Sequence, residues 1–459
     1  MKQSEKVDTA GWEGFDEFVR ERMRRTRLPG VSLAVVRGGE VVYSRGYGYR
    51  DLGRLLAASP HTVYGIGSVS KSFTALAILK LAEEGKLSPE DRVDRFLPLR
   101  IQPHGEPVLI RHLLTHSSGI PALGYAEAEI RSGQGTGGRY VALSSVDDFA
   151  AWLNGAEDWV EARPGDVWLY LNEGYVLLGG IVEKLSGQSF ADYVREHILR
   201  PLDMQETGFL GEDLGAELAV PYIIPREGKP KAGEVLPMFI GSDGGVASSV
   251  LDMAKYIGVF LRRGSPIIGP ESYEEMVAPR VALPQVPAPF TDGGRGSYAY
   301  GLMTQPFMGR TLIGHGGSVL VYTAQMSFLP EEDLGVMVLA NGAGYPCAQL
   351  AQAAMAWATG ADPEALSFSQ VEALDDVLSG TYATYRDTMR INVRAQGGVI
   401  ELTIEDKESP QKVILTLDEP GKEEVRCHAH MVDRHLPVVF RRRGSQVELL
   451  YERYKLRRV

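Results

Sequence analysis

From about residue 377 onward the chain is written in short alternating runs: Met389-Arg390-Ile391-Asn392-Val393, Val399-Ile400-Glu401-Leu402-Thr403-Ile404 and Val413-Ile414-Leu415-Thr416-Leu417, split by Gly and Pro. Successive strand side chains point to opposite faces, so this period of two describes half-buried strands and excludes an amphipathic helix. A series of such strands at regular spacing, opening with Leu378-Ser379-Gly380-Thr381-Tyr382, predicts a small closed all-β barrel.

The first three quarters of the chain read differently. Residues 10 to 25 have helical spacing, 31 to 50 form an apolar hairpin around Gly38-Gly39, and roughly 68 to 215 alternate helices with loops. Strands return at 311–315, 321–329 and 335–341, the alanine-rich run Ala348 to Thr359 reads as a closing helix, and Gly360-Ala361-Asp362-Pro363 breaks it. The expected class is α+β: an antiparallel sheet flanked by helices, with a helical subdomain, followed by the barrel. The expected division is 1–362, a linker at 363–376, and 377–459. At 459 residues and 44% hydrophobic, the chain is long enough for two cores.

A formal charge of −11 argues against nucleic-acid binding, and Arg441-Arg442-Arg443 with Arg457-Arg458 read as a solvated strand face and tail. Met1 to Thr9 lack an apolar signal core and no run approaches membrane-spanning length, which predicts a cytoplasmic protein. Cys347 and Cys427 fall in different expected domains, in keeping with a reducing compartment. Cys427, His428, His430 and His435 form the one conceivable metal cluster, but they lack a spaced fourth ligand, so no metal and no cofactor is expected. His112 and His116 have zincin-like spacing without the intervening glutamate and are expected to be structural.

Chemistry enters at Ser68-Val69-Ser70-Lys71, which sets a hydroxyl and an amine three residues apart at a helix start that follows Gly65-Ile66-Gly67. Positions i and i+3 share a helical face, and an amine beside a serine hydroxyl can activate it as a nucleophile. Phe73, Leu76, Leu79 and Ala82 continue the helix to Gly85. The alternative is an N-cap serine followed by a surface lysine. Further on, Tyr170 and Asn172 stand two apart in Trp168-Leu169-Tyr170-Leu171-Asn172, and His315-Gly316-Gly317-Ser318 follows an apolar run. Taken alone, Tyr170 reads better as a core aromatic beside Trp168, Leu171 and Tyr175, and the alternative for the glycines is an ordinary turn.

Together, Ser68-x-x-Lys71, Tyr170-x-Asn172 and His315-Gly316-Gly317 resemble the three ordered motifs of the serine β-lactamase and penicillin-binding-protein superfamily, in its class C-like branch of esterases and D-aminopeptidases. The resemblance covers roughly residues 10 to 360 and extends to Leu28-Pro29-Gly30-Val31, to Ile110 through Pro121, to Tyr300-Gly301-Leu302 and to Leu339-Ala340-Asn341-Gly342. It implies Ser68 as nucleophile, Lys71 and Tyr170 as the proton-transfer pair, Asn172 as a substrate ligand, and the backbone N–H groups of Ser68 and Ser318 as the oxyanion hole. It also implies that Gly316 and Gly317 leave room for substrate along the strand edge. A phenol titrates near ~10 in water, so Tyr170 would need adjacent cations, for which Lys71 and a protonated His315 are the candidates.

The barrel is similar to that of archaeal octameric serine proteases of this branch, where a lipocalin-like domain follows the catalytic one. That similarity implies a homo-oligomer. Relatives that bind a substrate carboxylate carry Lys-Thr-Gly or Lys-Ser-Gly at the third motif, whereas here the middle hydroxyl is missing and histidine replaces lysine. The expected activity is therefore that of a peptidase or amidase on small, amine-bearing peptides and amides, with a carboxylesterase as the alternative and a catalytically silent binding protein as the second.

Overall fold

The computed structural model describes residues 11–459 except 129–142, 226–227, 236–240, 285–293, 320, 397–398, 406–410, 422 and 431–434. Arg295–Thr359 join the N-terminal part in one compact unit, and Gly360–Val459 form a second.

The first unit is organised by a nine-stranded sheet. Its order is Leu56–Ala57, Glu40–Asp51, Gly30–Arg37, Leu334–Ala340, Tyr322–Leu329, Arg310–Val319, Met303–Phe307, Ser297–Tyr298 and Val281–Ala282. Strands Gly30–Arg37 and Leu334–Ala340 are near-continuous apolar runs, and every residue of Leu334–Ala340 is buried because helices Val250–Leu261 and Cys347–Ala358 both pack against it. The expected hairpin, the closing helix and the returning strands are all present. The strand expected at 311–315 runs further, from Arg310 to Val319, and so carries the glycines within it.

The helical part is centred on Ser70–Glu83. Its residues from Ser70 to Leu79 are all buried, so it is a core helix enclosed on every side. Phe73 is stacked on Tyr256 with centroids 3.9 Å apart, and the Tyr256 hydroxyl donates to Ser72 Oγ at 2.9 Å. A three-stranded sheet of Tyr64–Gly65, Val246–Ser248 and Gly208–Phe209 feeds the chain into this helix, with Ile66 N–H bonded to Val246 O at 2.9 Å.

The second unit is a closed barrel of eight antiparallel strands in sequence order, Gly380–Ala383 through Tyr454–Arg458, closed by the pairing Tyr382↔Arg458. Tyr382, Ile391, Leu402, Phe440, Leu449 and Leu456 fill its interior. The segment expected to be a linker at 363–376 is instead structured: a turn at Pro363–Ala365 leads into helix Ser367–Leu378, which packs on strands Arg390–Gln396 and Gln411–Pro420. Val371 and Leu378 supply the buried contacts that the expectation of a linker overlooked.

Within the candidate metal cluster, Cys427 points into the barrel core while His428 points outward to Asp418 Oδ1 at 2.6 Å, with the His435 ring 4.8 Å away. Alternation on one strand thus separates the thiol from the imidazole. The His430 side chain lies outside the described residues.

Phe73→Ala should lower stability by about 3–5 kcal/mol, since it removes a fully buried ring whose site cannot collapse around Tyr256. Denaturant unfolding of the first unit checks this.

Candidate active site

Ser68 sits in a single 3₁₀ turn, Gly67–Val69, immediately before the helix that begins at Ser70, and is half-buried. No side-chain capping bond is made there, so the N-cap reading of Ser68 does not describe it. Lys71 lies one turn on, with no exposed surface. Its Nζ donates to Asn172 Oδ1 at 2.8 Å, to the carbonyl oxygen of Asp243 at 2.6 Å and to Ser68 Oγ at 3.2 Å. Three ammonium hydrogens meet three acceptors, which is what a buried cation requires. The same Nζ lies 4.9 Å from the Tyr170 ring centroid and 5.4 Å from that of Tyr175.

The acceptors are presented by elements that the core helix itself organises. Asn172 is the first residue of helix Asn172–Ser186, which packs on Ser70–Glu83. The Ser242–Val246 turn is bound to the core helix three times: Lys71 to Asp243 O, Thr74 Oγ1 to Ser242 O at 2.6 Å, and Val246 N–H to Ser70 Oγ at 3.1 Å. Asp243 was not anticipated from the sequence. Its contribution is a backbone carbonyl, and the glycine-rich Gly241-Ser242-Asp243-Gly244-Gly245 was the only available sign.

The third motif reaches Ser68 through its backbone. Strand Arg310–Val319 pairs with Met303–Phe307 only as far as Gly314 and continues beside the Ile66–Ser68 segment. A Cβ on Gly317 would lie 1.9 Å from Ile66 O, and one on Gly67, whose φ is +53°, would lie 2.5 Å from Ser318 N. Glycine at both positions is thus what lets the two backbones approach, with the Ser318 amide against Gly67 and the Ser68 amide beside Gly317.

Gly316 differs from the expectation. It faces its cross-strand partner Gln325, where a Cβ would be 3.2 Å from Oε1, beside a cavity of about 210 Å³ lined by Gln325, Ser327 and Gln352. Residues alternate across the sheet, so Gly317 rather than Gly316 abuts the Ile66–Ser68 segment.

His315 also departs from expectation. It is 2% exposed, its Nδ1 lies 2.5 Å from Gly316 O and its Nε2 lies 2.8 Å from the Tyr298 hydroxyl. The carbonyl can only accept, so Nδ1 carries the proton and Nε2 accepts from Tyr298. Burial pushes its pKa down to about 4, so the imidazolium expected from sequence is not the form present near neutral pH. Lys71 is left as the cation beside Tyr170, and both His315 nitrogens are engaged within the protein.

Three aromatic or imidazole groups complete the surroundings. Tyr298, whose phenol burial raises well above its ordinary range, separates His315 from His116, and Tyr175 donates to Leu114 O at 2.7 Å. Of the two histidines expected to be structural, His112 accepts from Leu109 N–H at 3.1 Å. His116 instead packs on Tyr170 with ring centroids 4.0 Å apart. Burial raises Asp243 above the usual carboxylate range and Glu173 to about 7.

The depressed pKa of His315 makes its contribution to stability depend on pH. The unfolded histidine titrates near ~6.5 and the folded one at about 4, so between these values the unfolded state binds the extra proton. Stability from this residue is therefore full above the upper value and falls with pH. Glu173 acts in the opposite sense, so the difference between proteins is the clean measure. The stability advantage of wild type over His315→Gln should shrink by about 1.4 kcal/mol per pH unit between roughly 6.5 and 4. Urea unfolding at stepped pH tests it.

Compared with known families, residues 15–358 match the model described as beta-lactamase, and residues 363–457 match the Pab87 octamerisation domain. Protein flp of Staphylococcus aureus (strain MW2) is 27% identical over 330 residues, which is 71% of this chain and 62% of flp, so the chain spans less than two thirds of that relative. Among solved structures, the octameric penicillin-binding protein homologue from Pyrococcus abyssi is 37% identical with a TM-score of 0.90, covering 97% of this chain and 99% of that one. The D-amino acid amidase from Ochrobactrum anthropi SV3 shares the fold, at a TM-score of 0.62 and 21% identity over 77% of this chain and 99% of that one. With most of its length matched, the chain belongs to the β-lactamase family.

Proposed function

We propose that the protein is a serine hydrolase that works through an acyl-enzyme on small peptides or amides, with Ser68 as nucleophile and Lys71 with Tyr170 as the proton-transfer pair. The observation that carries this reading is the buried Lys71 Nζ, 3.2 Å from Ser68 Oγ and fully supplied with acceptors. A lysine donating three hydrogen bonds has no lone pair for the serine proton. The base is then Tyr170 acting as the phenolate, with the Lys71 ammonium beside its ring. The phenolate takes the Ser68 proton as Oγ attacks the carbonyl, and the phenol so formed gives that proton to the leaving amine as the C–N bond breaks. Amides from Ser68 and Ser318 hold the tetrahedral oxygen, and Asn172 orients the substrate amide while sharing Lys71.

Substrate class follows from what the third motif lacks. Neutral His315 has both nitrogens engaged and Gly316 has no hydroxyl, so the strand edge presents neither the charge nor the donor that would hold a substrate carboxylate. This favours amine-bearing peptides, simple amides and, as the alternative, esters, over β-lactams and C-terminal carboxylates. The proposed division places the hydrolase in residues 1–362. The barrel's match to an octamerisation domain supports assembly of several copies through it. A cytoplasmic setting belongs to the same reading, supported by Cys347 and Cys427, both free and buried. Among the described residues no helix is long and apolar enough to cross a membrane.

A fluorophosphonate should add once per chain at Ser68, and Ser68→Ala should carry no adduct by intact mass. Its turnover of aminoacyl amides should fall by several orders of magnitude. An adduct that persists in Ser68→Ala places the nucleophile elsewhere, and a folded protein with no adduct at all favours the binding-protein reading.

Deletion from residue 363 onward should leave the first unit folded, because its core is its own, and should reduce the assembly mass measured by light scattering. An unchanged mass overturns the role given to the barrel.

A further inference from the structure

Tyr170 lies on a segment without regular structure, just before the helix that starts at Asn172, so something other than secondary structure must aim it. One residue touches this segment at three points. The His116 carbonyl accepts from Leu169 N–H at 2.7 Å, its Nδ1 accepts from Leu171 N–H at 3.0 Å, and its ring lies against the Tyr170 ring at 4.0 Å with an interplanar angle of 32°. The amides bonded are those directly before and after the tyrosine.

We infer that His116 is a positioning residue for Tyr170, clamping the backbone on both sides of it and supporting the phenol ring from one face. The inference rests on the reading of Tyr170 as the general base.

His116 carries one local cost that a merely space-filling residue would not, and a second that any residue with a Cβ would bear there. Its Nε2 is buried with no hydrogen-bond partner among the described residues, enclosed by the rings of Tyr170, Tyr175 and Tyr298. Its φ is +54°, in the left-handed region where a residue with a Cβ is strained. A phenylalanine would fill the space without an orphaned N–H, but could not accept from Leu171. Strain and unsatisfied polarity held together at one position beside a nucleophile are the pattern of a site over-determined for function. Burial first, then the nearby Lys71 charge, keep the imidazole neutral, which leaves Nδ1 a bare acceptor; an imidazolium would turn an N–H toward the Leu171 N–H.

The test separates the acceptor from the packing. In the full-length protein, inactivation by a fluorophosphonate is resolved into KI and kinact for His116→Phe, which keeps a ring but loses the acceptor, and His116→Asn, whose Oδ1 falls near the place of Nδ1. A group that aims the base changes the chemical step and leaves binding alone. His116→Phe should therefore lower kinact at least about tenfold with KI within about twofold, and His116→Asn should recover part of that loss. Wild-type kinact in His116→Phe, or equal losses in the two variants, overturns the inference.

Tyr170→Phe is the control. If it reacts at the wild-type rate, the assignment of the base is what fails; if it is slow while the His116 variants are not, only the positioning role fails. Should neither His116 variant fold, the ¹⁵N spectrum of histidine-labelled wild type at neutral pH decides. A neutral ring protonated at Nε2 supports the clamp, and a proton on Nδ1 refutes it.

Discussion

A lysine side chain with no access to water is the constraint around which the first unit is arranged. A lone ammonium in a protein interior is far too costly to persist, so the fold must bring it acceptors from outside its own helix. Lys71 obtains them from the start of a second helix at Asn172, from the carbonyl of Asp243 in a turn, and from the hydroxyl of Ser68. Three stretches distant in sequence therefore converge because one charge must be satisfied. The same convergence leaves Ser68 half-exposed beside a cation, and places that cation against the Tyr170 ring. Structural need and the proposed chemical use coincide in this one group.

Around the charge, burial holds two imidazoles and two phenols neutral. His315 and His116 have their pKa values depressed, and the Tyr298 and Tyr175 phenols stay protonated, each for the same reason: the charged form would lose its hydration. Lys71 consequently acts on Tyr170 without a competing imidazolium nearby. The hydrogen-bonded pair of Tyr298 and His315 reads as a rigid wall rather than a titrating one. This explains how a histidine can occupy the third motif without supplying the positive charge that a lysine would bring there.

Much of this was legible from residues alone. The alternation after residue 377 foretold the barrel because a period of two admits only strands, and the ordered Ser68, Lys71, Tyr170 and Asn172 foretold a shared site. Local pattern failed where packing decided. Helix Ser367–Leu378 reads as a linker in sequence, since its apolar residues gain meaning only against barrel strands that come later in the chain. Gly316 and Gly317 look equivalent there too, and only the register of Arg310–Val319 against Tyr322–Leu329 put one against Gln325 and the other against Ile66.

The sequence by itself determined the fold class, the two-part organisation and which side chains could do chemistry, because hydrophobic period and side-chain type are local properties carried by the residues themselves. Tertiary structure alone decided the state and orientation of those groups. That Asp243 acts through its carbonyl, that burial holds His315 neutral, and that His116 flanks Tyr170 are consequences of burial and of contacts between distant segments. Desolvation and hydrogen-bond geometry exist only once the chain has closed on itself, and they leave no mark on the order of residues.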